Sequence, residues 1–211
     1  MSGLGESSAV GASVTGSGLG QRFDVEWLFR DLSFVVRPGQ VTAVCGPSGS
    51  GKSTLLAIIA GWLKPVEGVV ACAGVDRIGW VFQNPYGVAV RTALDHVVFP
   101  LVAQGMDARA AEAAAGELLD LFHLGHTAQR PFGTLSGGEA QRLMLARAVA
   151  SHPDVLLVDE PTAQLDRVSA GHVNETIGSI ASQGSIVIIA SHDPDTVRHC
   201  DQVIDLGEAH A

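Results

Sequence analysis

The stretch QVTAVCGPSGSGKST, residues 40–54, runs from an apolar segment through a glycine-rich turn into a helical pattern. Its second part fits G-x-x-x-x-G-K-[ST], in which glycines let backbone N–H groups face phosphate oxygens at the start of a helix. In this pattern Lys52 reaches the β- and γ-phosphates of a nucleotide, and Ser53 holds Mg²⁺. An ordinary glycine turn would not explain both the apolar strand before the loop and the helical spacing after it. The residues predicted to surround the phosphates are Gly46, Pro47, Ser48, Gly49, Ser50, Gly51, Lys52, Ser53 and Thr54.

Apolar and helical patterns alternate along the rest of the chain. Continuous apolar runs, which are typical of parallel strands covered on both faces, lie at 40–46, 78–85, 154–161, 185–193 and 201–207. Apolar residues at helical spacing are found at 53–63, 107–124 and 137–153. The alternation predicts an α/β fold with a parallel-sheet core.

The chain is expected to form one domain with an inserted helical part. Residues 1–20, which are rich in glycine and serine, are expected to be a flexible tail or a weak edge strand. Residues 21–211 are expected to form the domain. Its core spans about 21–85 and 151–211, and the segment of about 86–150, which shows only helical patterns, forms an inserted helical subdomain.

The composition excludes several classes of protein. Hydrophobic residues make up 46% of the chain and charged residues 17%, which suits a folded α/β domain rather than a disordered chain. The formal net charge of −9 argues against nucleic acid as a partner. The apolar runs are too short for a membrane span, and residues 1–20 lack the pattern of a secretory signal. Three scattered cysteines fit a reducing cytosol.

The stretch VLLVDEP, residues 155–161, places two carboxylates where an apolar strand ends. Open α/β sheets bind ligands at the carboxyl ends of their strands, so this pair and Lys52 are expected at one sheet edge. Asp159 is predicted to bind Mg²⁺ through water, and Glu160 to polarise the water that attacks the phosphate. An acidic strand end facing solvent is the simpler alternative, but it does not explain the shared edge.

The stretch TLSGGEAQR, residues 134–142, is a second glycine turn before a helix. Ser136 and Glu139 have the spacing of a capping box, in which each side chain accepts a hydrogen bond from the backbone N–H of the other. The serine hydroxyl can still donate its proton to a phosphate, and the two glycines leave the helix N-terminus open to an anion. One chain needs only one such site for each nucleotide, so the second is useful if it covers a nucleotide held by another copy of the chain.

The order and spacing of these motifs resemble the nucleotide-binding subunit of ATP-binding cassette (ABC) transporters over residues 22–207. The motifs that carry the resemblance are the loop at 46–54, VFQNP at 81–85, LSGGEAQR at 135–142, VLLVDEP at 155–161, LD at 165–166 and SHD at 191–193. The resemblance implies a P-loop NTPase core, a small antiparallel β subdomain and an inserted helical subdomain. It also implies an ATPase that uses Mg²⁺, with two subunits placed head to tail around two ATP molecules.

The resemblance assigns further site residues. Gln83 contacts Mg²⁺ and the attacking water, and His192 contacts the γ-phosphate. Asp166 links the two ATP sites. The residues that contact the γ-phosphate across the dimer are Ser136, Gly137 and Gly138. Phe23 stands where the family places an aromatic ring against adenine, although Trp27 or Phe29 could fill this role, or all three could be core residues.

The sequence departs from the family pattern in three places. The segment between Lys52 and Gln83 is short, which predicts a trimmed antiparallel sheet. The first strand is the glycine- and serine-rich AVGASVTGSG (9–18) rather than a run of valine and leucine. The segment AQLD (163–166) replaces the more usual GNLD or SALD, which affects the dimer edge rather than the catalytic roles.

Residues 92–142 are similar to the ATPases of lipoprotein-releasing systems and macrolide exporters, although polar amino-acid importers share part of this pattern. The similarity implies a separate integral-membrane permease, a second and identical ATPase subunit, and a cytoplasmic position at the inner face of the cell membrane. It predicts work of the export or mechanotransmission type. The chain itself is not expected to insert into the membrane or to bind nucleic acid.

Three other P-loop classes fit less well. ABC ATPases of DNA repair or chromosome structure need long coiled coils or zinc-binding insertions, and translation-factor types carry two cassettes in one chain. A small-molecule kinase would not need the stretch LSGGE at 135–139.

Overall fold

The computed structural model describes residues 11–163 and 165–207. Its strands are β1 (Ser13–Phe23), β2 (Glu26–Val36), β3 (Val41–Cys45), β4 (Glu67–Ala73), β5 (Ile78–Val81), β6 (Val155–Asp159), β7 (Ile186–Ala190) and β8 (Gln202–Asp205). Its α-helices are α1 (Lys52–Ile59), α2 (Ala93–Ala103), α3 (Ala108–Leu121), α4 (Gly137–Val149), α5 (Arg167–Ser182) and α6 (Pro194–Arg198). Short 3₁₀ turns cover Gly125–Thr127 and Phe132–Thr134.

Five strands form a parallel sheet in the order β5-β6-β7-β3-β8. Every residue of β6 and β7 is buried, as expected for parallel strands that helices cover on both faces. Alternate residues enter two separate hydrophobic clusters: Leu156 packs with α2, α3 and α4, whereas Leu157 packs with α1 and the second sheet. This arrangement confirms the predicted α/β fold and brings the carboxyl ends of β3, β6 and β7 to one edge.

The second sheet is antiparallel, with β1 between β2 and β4. The expectation of a tail or weak edge strand is therefore wrong for residues 13–20, which belong to the central strand; residues 1–10 lie outside the described part. Small residues are needed there because bulky neighbours cover the strand. A Cβ at Gly16 would lie 2.6 Å from the Phe34 ring, and one at Gly20 would lie 2.9 Å from Trp27. Leu19 is fully buried.

The stretch 86–150 contributes α2, α3 and α4. Each of these helices begins at a polar N-cap, which satisfies N–H groups that the helix itself leaves unpaired: Thr92 for α2, Asp107 for α3 and Ser136 for α4. Buried leucines and alanines of the three helices form one hydrophobic cluster with α5 and with one face of the parallel sheet. None of the helices in the described ranges 11–163 and 165–207 is long and apolar enough to cross a membrane.

Candidate functional site

The phosphate loop connects β3 to α1 at the carboxyl edge of the parallel sheet. Gly46, Gly49 and Gly51 have φ angles of 142°, 82° and 96°, a region that residues with side chains rarely adopt. A Cβ at Gly46 would also lie 2.7 Å from the Ser50 hydroxyl, so glycine is required there. Gly51 has no side chain to cap α1, which leaves the first N–H groups of the helix for an anion.

Lys52 is the buried cation of this loop. Its Nζ donates hydrogen bonds to the carbonyl oxygens of Gly46 (3.1 Å) and Pro47 (3.2 Å). The same Nζ lies 4.0 Å from Oε1 of Glu160, and both side chains are only 10% exposed. The loop therefore folds around a positive charge.

Asp159 ends β6 directly beside the loop, where the Ser53 hydroxyl lies close to its carboxylate. Burial raises the pKa of the Asp159 carboxyl above its ordinary value, and the charge of Glu160 adds to this effect. The hydroxyl of Ser53 and the charge of Lys52 oppose this rise in the pKa of Asp159. A buried carboxylate with this environment gains stability from a cation placed beside it.

Glu160 occupies a left-handed backbone conformation with φ of 48°, which is uncommon for a residue with a side chain. Its N–H donates to the Ala190 carbonyl at 2.8 Å, which fixes the turn after β6 against the end of β7. His192 Nδ1 donates to Glu160 Oε1 at 2.7 Å, and the Ser191 hydroxyl donates to Oε2 at 3.4 Å. No sequence pattern predicted a role for Ser191, although this residue belongs to the SHD motif at 191–193.

Many of the predicted groups meet in a cleft of about 440 Å³. The lining residues are Phe23, Leu28, Ser48, Gly49, Gly51, Lys52, Ser53, Thr54, Gln83, Asp159, Glu160 and His192. Ser136, Gly137, Gly138 and Asp166 are not among the residues that line this cleft. The structure thus brings together the phosphate loop, the two carboxylates, Gln83, His192 and Phe23, and it leaves the second glycine turn elsewhere.

The three aromatic residues considered for adenine stacking have different environments. Phe23, at the end of β1, lines the cleft and is 56% exposed. Phe29 is fully buried in the core and has no free face. Trp27 is half-buried, and the guanidinium groups of Arg22 and Arg30 lie over its ring at 5.3 and 4.6 Å. Of these three rings, Phe23 is the one that is exposed at the cleft.

The second glycine turn begins α4 with the predicted capping box. Glu139 Oε2 accepts from the Ser136 backbone N–H at 2.7 Å, and the Ser136 hydroxyl accepts from the Glu139 N–H at 3.3 Å. Ser136 and Gly137 are exposed. The start of α4 therefore presents a serine hydroxyl and helix N–H groups at the protein surface.

Asp166 caps α5 in this structure, a role that sequence reasoning did not give it. Its carboxylate accepts hydrogen bonds from the Val168 N–H and the Ser169 N–H, both at 3.0 Å, and from the Ser169 hydroxyl at 2.7 Å. The hydrogen bonds from Ser169 lower the pKa of Asp166 below its ordinary value. The sequence signal for this cap is an aspartate, Asp166, followed three residues later by Ser169 at the start of a helical segment.

A groove of about 520 Å³ lies beside α2, between the segment at 88–91 and Arg147 of α4. We call it the α2 groove. Its lining residues are Val88, Arg91, Asp95, His96, Val98, Phe99, Val102 and Arg147. Phe99 is 74% exposed. The buried His96 fixes the groove wall, since its Nε2 accepts from the Val88 N–H at 3.0 Å and its Nδ1 donates to the Thr92 carbonyl at 2.7 Å.

Comparison with known sequences gives a consistent picture. Residues 29–163 match the family model described as ABC transporter. The lipoprotein-releasing system ATP-binding protein LolD 2 of Caulobacter vibrioides is 36% identical over 199 residues, which cover 87% of each chain. The LolD protein of Chromohalobacter salexigens is 36% identical over 193 residues, covering 84% of this chain and 81% of that protein.

Solved structures agree with the sequences. The dimeric post-hydrolysis structure of the ATP-binding cassette MJ0796, bound to ADP and Pi, superposes with a TM-score of 0.80 at 28% identity. It covers 92% of this chain and 95% of that one. The cbiO1 protein of Clostridium perfringens, part of the transporter complex cbiONQ, gives a TM-score of 0.81 at 27% identity and covers 92% of this chain and 85% of its own.

Proposed function

We propose that this chain, which belongs to the ABC transporter family and is an ATPase of that family, closes on a second copy around two ATP molecules and drives a separate membrane subunit. The observation that carries the proposal is a divided set of phosphate-binding groups. The cleft holds the phosphate loop and the carboxylates, whereas the exposed start of α4 lies outside it. A second copy placed head to tail would bring the two parts together.

ATP would lie in the cleft with its phosphates on the loop. The N–H groups at the start of α1 and the Lys52 ammonium would bind the phosphate oxygens, as both are placed at the end of β3. The exposed Phe23 ring would stack on adenine. Lys52 would thus hold the phosphate end of ATP, and Phe23 would hold its adenine end.

The residues beside the loop fit Mg²⁺, which prefers oxygen ligands. The Ser53 hydroxyl and the Asp159 carboxylate line the same part of the cleft, and Gln83 lines it with an amide oxygen. The metal, when bound, would neutralise charge on the β- and γ-phosphates. Burial disfavours the charged form of Asp159, so a cation at this position would also stabilise that carboxylate.

Glu160 would orient and polarise the attacking water. The strained turn and the two hydrogen bonds from Ser191 and His192 hold its carboxylate at the cleft wall. His192 would touch the γ-phosphate through its other ring nitrogen, because Nδ1 is engaged with Glu160. General-base assistance of this kind contributes about 10²–10⁴ in rate.

The partner copy would complete each site. Ser136, Gly137 and Gly138 of one copy would contact the γ-phosphate held by the other, using the hydroxyl and the N–H groups at the start of α4. Asp166 lies at the start of α5, and we assign it a contact between the two sites in addition to its cap.

The α2 groove is the proposed contact with an integral-membrane permease. It combines exposed apolar side chains, such as Phe99, with Arg91, which precedes α2, and Arg147 of α4. A permease bound there would place the chain in the cytoplasm, at the inner face of the cell membrane. The lipoprotein-releasing names of the two relatives favour export or mechanotransmission, and inward transport by a reconstituted complex would contradict that direction.

The test is the variant Glu160→Gln, which keeps the shape of the side chain and removes the base. We expect it to bind ATP, to hydrolyse it at least about a hundredfold more slowly, and to accumulate as a dimer in light-scattering measurements. Tagged Glu160→Gln with ATP should also retain a multi-spanning protein from detergent-solubilised membranes of its native cell. Hydrolysis at the wild-type rate, or an ATP-loaded monomer, would refute the proposal.

A further inference from the structure

Arg130 binds two acceptors that flank the exposed start of α4. One guanidinium nitrogen donates to Glu139 Oε1 at 3.0 Å, and another donates to the Thr134 carbonyl oxygen. The side chain of Glu139 is 14% exposed and that of Arg130 is 42% exposed. Arg130 therefore joins the turn before Ser136 to the first turn of α4.

The backbone around Arg130 is held independently of this side chain. The Arg130 carbonyl accepts from the Ala93 N–H at 2.9 Å, and the Phe132 N–H donates to the Arg91 carbonyl at 2.8 Å. Both bonds tie the 130–132 segment to the start of α2. A change confined to the Arg130 guanidinium therefore leaves these anchors in place, so that the effect of the side chain can be separated from that of the fold.

Glu139 connects Arg130 to Ser136. Its Oε1 faces Arg130 and His126, whereas its Oε2 accepts from the Ser136 N–H at 2.7 Å. Burial alone would raise the pKa of the Glu139 carboxyl, but the hydrogen bonds from Ser136 and the charge of Arg130 hold it below its ordinary value. The carboxylate is thus ionised at neutral pH and engaged on both of its oxygens.

We propose that Arg130 is a positioning residue for Ser136: it fixes the Glu139 carboxylate, which in turn fixes the serine that meets the ATP of the second copy. The inference rests on the proposed function, in which Ser136 acts across the dimer. A preorganised donor is worth more than a mobile one, because no rearrangement is needed when the phosphate arrives. The forked guanidinium reaches two acceptors at once, which a lysine ammonium on this backbone would do less well.

A purely structural ion pair would give different results from a positioning role. If the pair only stabilised the helical segment, loss of Arg130 would lower the melting temperature, and its effect on dimer formation would be the same with or without a charged residue at 139. If Arg130 acts through Glu139, its effect on the dimer must depend on that carboxylate. The two cases are separated by combining changes at both positions.

The experiment measures the dissociation constant of the ATP-bound dimer, by sedimentation, for chains that all carry Glu160→Gln. Arg130→Ala is expected to weaken the dimer about tenfold, and Arg130→Lys by a smaller factor. In the Glu139→Gln background the capping hydrogen bond can persist without the charge. There, Arg130→Ala should raise the dissociation constant of the dimer by at most about threefold. The matched control is Arg109→Ala, an exposed arginine at the start of α3, which should change the constant by less than about twofold.

Binding of a fluorescent ATP analogue to the dilute, monomeric chain checks that each variant folds, and it should stay within about twofold of the parent. If the parent Glu160→Gln chain forms no dimer with ATP, the proposed function fails, and the inference with it. If the parent dimerises, two results overturn the positioning role alone. Either Arg130→Ala dimerises as tightly as the parent, or Arg130→Ala weakens the dimer by the same factor whether residue 139 is Glu or Gln. Should Arg130→Ala fail to fold, Arg130→Lys in the two backgrounds decides between the same outcomes.

Discussion

The two glycine turns of this chain are built differently, although both begin a helix. The phosphate loop lies at the edge of a buried parallel sheet and encloses Lys52, which is 10% exposed. The turn at Ser136 lies on the surface, where a capping box and the charge of Arg130 hold it. In the proposed function the first turn is complete in one chain, whereas the second becomes part of a site only when another chain is added.

The largest effect is expected from Lys52→Ala, which should remove the buried cation of the loop. Its ammonium is placed by the Gly46 and Pro47 carbonyls, and no other buried cation lines the cleft in the described part of the chain. We expect nucleotide binding to be lost and hydrolysis to fall by about 10³ or more, measured by titration with a fluorescent nucleotide and by phosphate release. Lys64→Ala, at an exposed lysine outside the cleft, is the control and should behave as wild type.

His192→Ala should affect turnover more than binding. It removes the 2.7 Å hydrogen bond that orients Glu160, while the phosphate loop remains intact. We expect kcat to fall by roughly 10- to 100-fold with little change in ATP affinity. Equal losses in kcat and in ATP affinity would show that the γ-phosphate contact of His192, and not its hydrogen bond to Glu160, accounts for its effect on turnover.

Phe23→Ala should weaken ATP binding moderately, because an exposed stacking ring is removed and the loop is unchanged. Stacking of a base on an aromatic ring is worth about 1–3 kcal/mol, so the affinity should fall at least about fivefold. Phe23→Tyr keeps a ring and should bind ATP nearly as well as wild type. If Phe23→Ala binds ATP as tightly as Phe23→Tyr does, Phe23 does not contact the base.

The smallest effect concerns the acid sensitivity of the second turn. The folded-state pKa of Glu139 is lowered, so its ionised form stabilises the fold above the ordinary glutamate value of about 4.3, and this contribution is lost as the pH falls through the lowered value. The melting temperature of wild type should therefore fall more steeply below about pH 4 than that of Glu139→Gln. Parallel curves for the two proteins would contradict a stabilising role for the charge.

Motifs whose physics is local could be predicted from the sequence. The phosphate loop, the strand that ends at Asp159 and the capping box of Ser136 each depend on residues within about one helical turn, and the structure has all three. The fold class followed from the alternation of apolar strands and helices. The roles assigned to these residues in the site remain predictions.

Features that depend on distant partners could not be predicted. Glycines at 16 and 20 indicated a tail, yet they allow Phe34 and Trp27 to cover a central strand, and neither contact has a local signal. The left-handed turn at Glu160 depends on a hydrogen bond to Ala190 on another strand. The bond from Arg130 to Glu139 joins residues nine positions apart through a turn that no pattern defines.

The most direct test of the divided site is Gly137→Asp in the Glu160→Gln background. An aspartate in the first turn of α4 favours the helix electrostatically, so the chain should fold, but its charge would repel a γ-phosphate brought by the second copy. We predict that this chain still binds one ATP in its own cleft with the affinity of the parent and stays monomeric in light scattering. A dimer that forms as readily as the parent's, or a loss of ATP binding like that of Lys52→Ala, would contradict the account.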